Sequence, residues 1–375
     1  MTNRERLLTV LRGQIPDCVP VSPDFSNMIP CRLTGKPFWD IYLFKDPPLW
    51  RAYIDAMKVF GNDGGFELYD YGPVDVVDGS RSPAEERIVH RDAERIVTQA
   101  FDPTTGTWSL RCTVYPAANP PVENVDPRLF GIPQPPQAWE AVHSPPQKEG
   151  YTLWREIRDE VGDSGIVGMA SGFSTFVLGG EADVYSFHDE PAPWIEKIER
   201  MTARALARLQ AISRLPVKPD FLTCGGSGTL IFQTPAFVQA YVLPGLRKVT
   251  RRARELGIPT HVHSCGPEKA LVDMVVRETD LTVIDPLEIP PMGDCSLAEM
   301  KRLYGDRIVL KGNLHTTQVM LLGSVEDVVR ASRHAIDDAK RGGRFILSTG
   351  DQCGRDTPLE NIHAMVETAR TYGRY

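Results

Sequence analysis

Read for its alternation of apolar and polar positions, the second half of the chain has a simple rhythm. From about residue 146 onward, short apolar runs alternate with longer stretches whose apolar residues recur at helical spacing. The runs at 166–169, 221–224, 260–263, 281–285, 307–313 and 344–348 predict buried strands. The stretches 176–187, 191–212, 235–256 (broken near Pro244), 268–277, 296–303, 325–339 and 358–372 predict helices. The N-terminal part adds a helix over 4–12 that stops at Gly13, a strand over 19–24, a helix over 50–60 and a strand over 66–69. Strands starting near Val19, Phe66, Ile166, Phe221, Thr260, Leu281, Ile308 and Phe345 make eight β-α units, the number that closes a parallel barrel. The expected fold is therefore α/β, a (β/α)8 TIM barrel, with residues 1–375 as a single domain. An open doubly wound sheet is the runner-up, but no Gly-x-Gly-x-x-Gly turn opens a first βα unit.

The rhythm breaks between Asp75 and Pro146. Residues 87–90, 95–101 and 107–114 alternate like antiparallel strands. Proline then crowds 117–146, with the pairs Pro120-Pro121, Pro135-Pro136 and Pro145-Pro146. A β-hairpin insertion in the N-terminal half followed by an extended, proline-rich loop is expected over 75–146. It reads as a lid, a docking surface for a partner, or a surface excursion with no chemistry.

Composition changes little in this picture. With 42% hydrophobic and 24% charged residues, the chain has the balance of a globular protein with a sizeable core. A formal net charge of −7 offers no basic surface for nucleic acid. No segment approaches the roughly 20 apolar residues that span a bilayer. The opening Met1-Thr2-Asn3-Arg4-Glu5-Arg6 lacks the apolar core of a signal peptide, so a cytoplasmic protein is expected. Seven widely spaced cysteines are no disulfide framework. A homodimeric state is left open.

Candidate chemistry gathers at the strand exits: Asp24, Cys224, His263 with Cys265, Asp285, Asn313 and Cys353. In a barrel all of these open on one catalytic face, and Asp24, Asp285 and Asn313 are its candidate catalytic groups. His263 and Cys265 are two apart, so an extended backbone turns them to the same side. Cys353 follows the eighth strand, with two strands between it and the fifth, which carries His263 and Cys265. An imidazole and two thiols are a soft donor set that suits zinc, with an open fourth position for catalysis. The alternative is a buried structural histidine with unrelated core cysteines. The run Gly225-Gly226-Ser227-Gly228 is either a phosphate cradle or a tight turn beside a ligand, which makes Cys224, Gly225 and Ser227 candidate cofactor contacts. Asp24, Cys224, Asp285 and water compete for the fourth metal position, and Cys224 also serves as a pocket wall. His261 is expected to face away toward the helices. His315 reads either as a substrate contact or as a solvent-facing loop residue. Cys295 lies in a turn, and Cys18, Cys31 and Cys112 lie outside the strand-exit pattern.

The chain resembles the uroporphyrinogen decarboxylase superfamily, and within it the zinc methyltransferase branch. The resemblance rests on Ser171-Gly172-Phe173-Ser174-Thr175, on Thr234-Pro235-Ala236-Phe237 running into Val242-Leu243-Pro244, and on Lys311-Gly312-Asn313-Leu314. Arg4-Glu5-Arg6 through Pro16-Asp17-Cys18-Val19-Pro20-Val21 matches the family's opening, whereas 75–146 finds no counterpart. His263-Ser264-Cys265 followed far downstream by Cys353 is similar to the mark of the branch that transfers methyl groups from methylated corrinoid proteins to coenzyme M. The resemblance implies that these three residues bind zinc, that zinc activates an acceptor thiol, and that the partner is a corrinoid protein carrying cobalamin. It leaves open whether methyl moves from the corrinoid to a thiol or folate, or from a methoxylated or methylamine-type donor onto the corrinoid. The family's decarboxylases carry an arginine-rich N-terminal motif where this chain has Pro23-Asp24-Phe25-Ser26-Asn27-Met28. Porphyrinogen decarboxylation without metal and a non-catalytic, corrinoid-binding barrel are the alternatives.

Overall fold

The computed structural model describes residues 1–66 and 84–375. The strand expected over 66–69 falls, past Phe66, outside the described residues, as does the start of the expected insertion at 75–83. The described chain forms two compact units, one built from 1–24, 57–66 and 161–375, the other from 25–56 and 84–160.

The larger unit holds a six-stranded parallel sheet. Its strands, in both sequence and spatial order, are Gly168–Ala170, Phe221–Thr223, Thr260–His263, Val283–Asp285, Val309–Leu314 and Phe345–Thr349. Each lies within the run that the apolar pattern marks, or a residue or two from it. Helices separate them, among them Pro191–Ile212 and Val325–Ala339 at the expected bounds. Single parallel bridges continue the sheet at both edges, Val21 to Leu347 and Gly64 to Gly165, and the Asp63 amide donates to the Val21 carbonyl at 2.8 Å. Gly65 needs its positive φ of +90° and its bare Cα, because a Cβ there would lie 1.8 Å from the Ile166 carbonyl oxygen.

The helix Asn3–Leu11 starts at a capping box formed by Thr2 and Glu5. It buries Leu7, Val10 and Leu11 against Phe66, Ile166, Phe221, Val283, Val309 and Ile346. Its other face sends Arg6 to Asp63 at 2.6 Å and to Asp17 at 2.7 Å, and Arg370 reaches the second oxygen of Asp63 at 2.7 Å. The opening motif thus builds the base of the sheet rather than a site.

One expectation is corrected here and another is given its detail. The helix read over 176–187 begins later, as Glu181–Asp189, because Ser174 and Gln233 bind the backbone of residues 176–178 in a non-helical loop. The break near Pro244 is a π-helical turn, Val238–Val242, from which Leu243–Glu255 starts with proline in its first turn. Proline has no N–H to continue the helical ladder.

The smaller unit carries a five-stranded sheet in the order Val122–Val125, Thr107–Pro116, Arg95–Asp102, Glu85–Arg91, Glu140–Ala141. The three antiparallel strands read from alternation are its centre. The proline-rich stretch, expected as loop only, supplies the two edge strands, which is where proline is tolerated in a sheet. It also supplies Ile132, buried against Val97, Cys112 and Val114. Among the described residues no helix is long and apolar enough to cross a membrane.

Candidate metal centre

The site grows from the strand Thr260–His263 and its neighbour Val283–Asp285, whose parallel register sets His263 beside Asp285. His261 and His263 are two residues apart, so the pleat turns both to the same side. The expectation that His261 faces away is therefore corrected. His261 donates Nε2–H to Asp285 Oδ1 at 2.7 Å, and His263 donates Nδ1–H to the same oxygen at 3.2 Å. The other carboxylate oxygen receives Lys311 Nζ at 2.5 Å. Lys311 comes from the next strand, and both it and Asp285 have side chains only 1% exposed.

The charges follow from this geometry. Burial works against the Asp285 carboxylate, but Lys311, His261 and His263 hold its pKa well below the ordinary carboxylate range. Burial lowers the pKa of His261, which packs edge-on against Phe66 and Phe221. Its Nδ1 is buried without a hydrogen-bond partner among the described residues. Burial also opposes the His263 imidazolium, yet Asp285, Asp351 and Cys265 together raise its pKa well above the usual histidine value.

Cys265 lies just past the strand, half-buried, within hydrogen-bonding reach of His263. Its sulfur is 2.7 Å from Ser227 Oγ, so the Gly225–Gly228 loop meets the thiol through this hydroxyl. Gly225 allows that approach, since a Cβ there would lie 2.8 Å from Val262 Cγ1. Cys224 is wholly buried, its amide donates to the His261 carbonyl at 2.7 Å, and burial pushes its thiol up to about 12. It is wall.

Cys353 is also fully buried. Burial, with the negative charges of Asp24 and Asp351, raises its pKa far above that of a free thiol. Its amide donates to the Asp24 carbonyl at 2.9 Å, and the Asp24 amide donates to Thr349 Oγ1 at 3.1 Å. Asp351, two residues before Cys353, has Oδ1 3.6 Å from His263 Nε2. Among the described residues no three His, Cys, Asp or Glu side chains are gathered closely enough to hold a metal ion. His263 and Cys265 are thus brought together, while Cys353 sits on the loop that faces them without joining them.

The donor chemistry nevertheless fits a soft divalent ion. A carboxylate on one histidine nitrogen leaves the other as ligand, the usual orienting arrangement behind zinc-bound imidazole. Cys265 is the one cysteine of the chain that is not buried, and Cys353 follows two residues after Asp351, whose carboxylate is 3.6 Å from His263 Nε2.

Asn313 is buried and donates Nδ2–H to the Leu287 carbonyl at 2.9 Å. It lines a narrow cleft with Glu288, Met292, His315 and Gly350. Sequence reasoning missed three charged groups. Lys311 had a readable signal, a lysine inside an otherwise apolar strand. Glu268 and Glu288 had none, since both lie beyond strand exits in loops. Glu288 accepts the amide of Gly266, directly after Cys265. Glu268 is fully buried, accepts the Leu287 amide at 2.8 Å through Oε2, and leaves Oε1 without a partner among the described residues. Burial, helped by the Asp285 charge, raises its pKa well above the carboxylate range.

The uroporphyrinogen decarboxylase family model matches residues 229–372. That segment carries all three candidate ligands. A methylcobamide:CoM methyltransferase MtbA of Methanosarcina mazei is 28% identical over 138 residues, 36% of this chain and 37% of the relative. The corresponding protein of Methanosarcina acetivorans is 27% identical over 136 residues, again 36% and 37%. The chain thus spans just over a third of the length of these curated relatives. A solved structure of a methyltransferase from Methanosarcina mazei superimposes over 99% of both chains with a TM-score of 0.65 at 16% identity, which shows a shared fold. Over the matched residues these findings bear out the superfamily resemblance and its methyltransferase branch.

Proposed function

We propose that the chain is a zinc-dependent methyltransferase acting in the cytoplasm. It moves a methyl group between a corrinoid carried by a partner protein and a small molecule such as a thiol, folate or methoxylated compound. The scaffold in this reading is one (β/α)8 barrel, with the edge bridges at Val21 and Gly64 taking the places of its first two strands. The observation that carries the reading is the buried carboxylate of Asp285, which holds Nδ1–H of His263 beside the accessible thiol of Cys265. The similarity to methylcobamide:CoM methyltransferases supports the methyl chemistry.

His263 and Cys265 would hold the metal, with Cys353 as the third donor. Zinc supplies one thing there: it lowers the pKa of a bound thiol, so that the sulfur is a nucleophile at neutral pH. The chain does the rest. Asp285 fixes the His263 ring and its tautomer. Lys311 balances the Asp285 charge, so that the carboxylate stays ionised in a dry interior. Ser227 braces the Cys265 sulfur. Asp351 is the partly exposed carboxylate nearest His263 Nε2 and hands a released proton to solvent.

The test is metal analysis of protein purified without chelator, together with a spectral assay of methylcobalamin demethylation against thiols and folate. Stoichiometric zinc is expected in the wild type and is lost or weakened in Cys265→Ser and Cys353→Ser. A metal-free wild type would sink the reading. Loss of the methyl–cobalt spectrum with one acceptor alone identifies that acceptor.

A further inference from the structure

The loop that follows the strand Val309–Leu314 turns directly into a π-helical turn, Thr316–Leu321. Such turns are rare and concentrate at functional sites. His315 caps this one in an unusual way. Its Nδ1 accepts two backbone amides, those of Thr317 at 3.1 Å and Gln318 at 3.2 Å. A nitrogen that accepts cannot carry the proton, so the ring is held as the neutral tautomer with its hydrogen on Nε2. That Nε2–H has no partner among the described residues. The residue is half-buried and lines the cleft shared with Glu288, Met292, Asn313 and Gly350.

The cleft abuts the proposed metal ligands on two sides. Glu288 accepts the amide of Gly266, next to Cys265. Gly350 precedes Asp351, which faces His263. Among the described residues no lysine or arginine lines the cleft. An anionic substrate group would meet the Glu288 carboxyl with no cation to balance it, whereas a neutral oxygen would meet a fixed donor.

Resting on the methyl-transfer reading, we infer that His315 Nε2–H is a substrate-binding donor. It holds an uncharged oxygen of a small thiol, a hydroxyl, ether or carbonyl, beside the thiol's reacting sulfur. Capping fixes the donor in place, since a ring that must accept two amides through Nδ1 has one orientation for Nε2.

Two probes separate this role from a purely structural one: 2-mercaptoethanol, which has the oxygen, and ethanethiol, which lacks it. Nitrogen-15 NMR of histidine-labelled, zinc-supplemented protein should show His315 protonated at Nε2. That resonance should shift with 2-mercaptoethanol and not with ethanethiol. His315→Asn keeps an oxygen acceptor for the two amides but withdraws the donor. It should melt as the wild type does, retain its zinc, and bind 2-mercaptoethanol about tenfold more weakly, the worth of one hydrogen bond. Its affinity for ethanethiol should not change. A proton on Nδ1, an unshifted Nε2 signal, wild-type affinity in the asparagine variant, or equal weakening for both thiols each overturns the inference. If both thiols bind as described but no methyl leaves methylcobalamin, the methyl-transfer reading fails and the donor role of His315 stands.

Discussion

Lys311 Nζ lies 2.5 Å from Asp285 Oδ2, and the two side chains are each 1% exposed. A charge pair this deeply buried is costly to desolvate and still more costly to break. Replacing Lys311 by methionine would leave Asp285 with its two imidazole donors but without the buried ammonium. The expected loss is roughly 3–5 kcal/mol, read from the urea midpoint. Adding Asp285→Leu to Lys311→Met should recover most of that stability while abolishing methyl transfer. A Lys311→Met protein as stable as the wild type would show that the pair is not what holds this part of the interior.

Asp285 also orients His263. In Asp285→Asn an amide oxygen can still accept one imidazole N–H, but the negative charge is gone. Zinc affinity, measured by competition with a chromogenic chelator, should fall by about 10- to 100-fold. An unchanged affinity would remove Asp285 from the metal's surroundings.

Glu268 gives stability an unusual pH dependence. Its carboxyl is fully buried, and burial followed by the Asp285 charge raises its folded pKa well above the ordinary glutamate value. For an acid shifted upward, the native state keeps a proton that the unfolded chain releases. The contribution is therefore whole below the unfolded value and shrinks as pH rises toward the folded one. Its slope reaches about 1.4 kcal/mol per pH unit. Glu268→Gln removes the titration and can still accept the Leu287 amide. Denaturation at a series of pH values from 5 to 8 should show the variant losing less stability than the wild type. Parallel curves would mean that Glu268 is ionised in the folded protein.

The thiols should divide sharply in reactivity. All seven cysteines are free, and six of them are buried. Burial also raises the pKa of Cys224 to about 12, which leaves almost no thiolate at neutral pH. Native protein stripped of metal should therefore react quickly with one equivalent of a thiol reagent, at Cys265, and slowly with the rest. Cys265→Ser should abolish the fast phase, and added zinc should suppress it in the wild type. A second fast thiol at Cys353 would mean that its loop opens readily, as the proposed third ligand requires.

Local rules read much of this correctly because they depend on near neighbours. The strand runs, the helix Pro191–Ile212 and the three central strands of the smaller sheet follow from apolar spacing and breaker residues. The edge strands Val122–Val125 and Glu140–Ala141 were not legible, because their pairing depends on partners supplied from elsewhere in the chain. His261 was legible and misread, since the period of two that joins His263 to Cys265 also joins it to His261.

By itself, then, the sequence determined most strands and helices of the larger unit, that His263 and Cys265 share a strand exit, and that the C-terminal half resembles the uroporphyrinogen decarboxylase superfamily. Those are properties of period, composition and motif. The tertiary structure alone decided that Asp285 bridges two histidines and a lysine, that Cys353 lies buried beside Asp24, and that His315 caps a π-helical turn through Nδ1. Asp285 and Lys311 are 26 positions apart in sequence, and no local rule sets that distance. Strand register sets it, and the scarcity of partners in a dry interior makes the pairing obligatory.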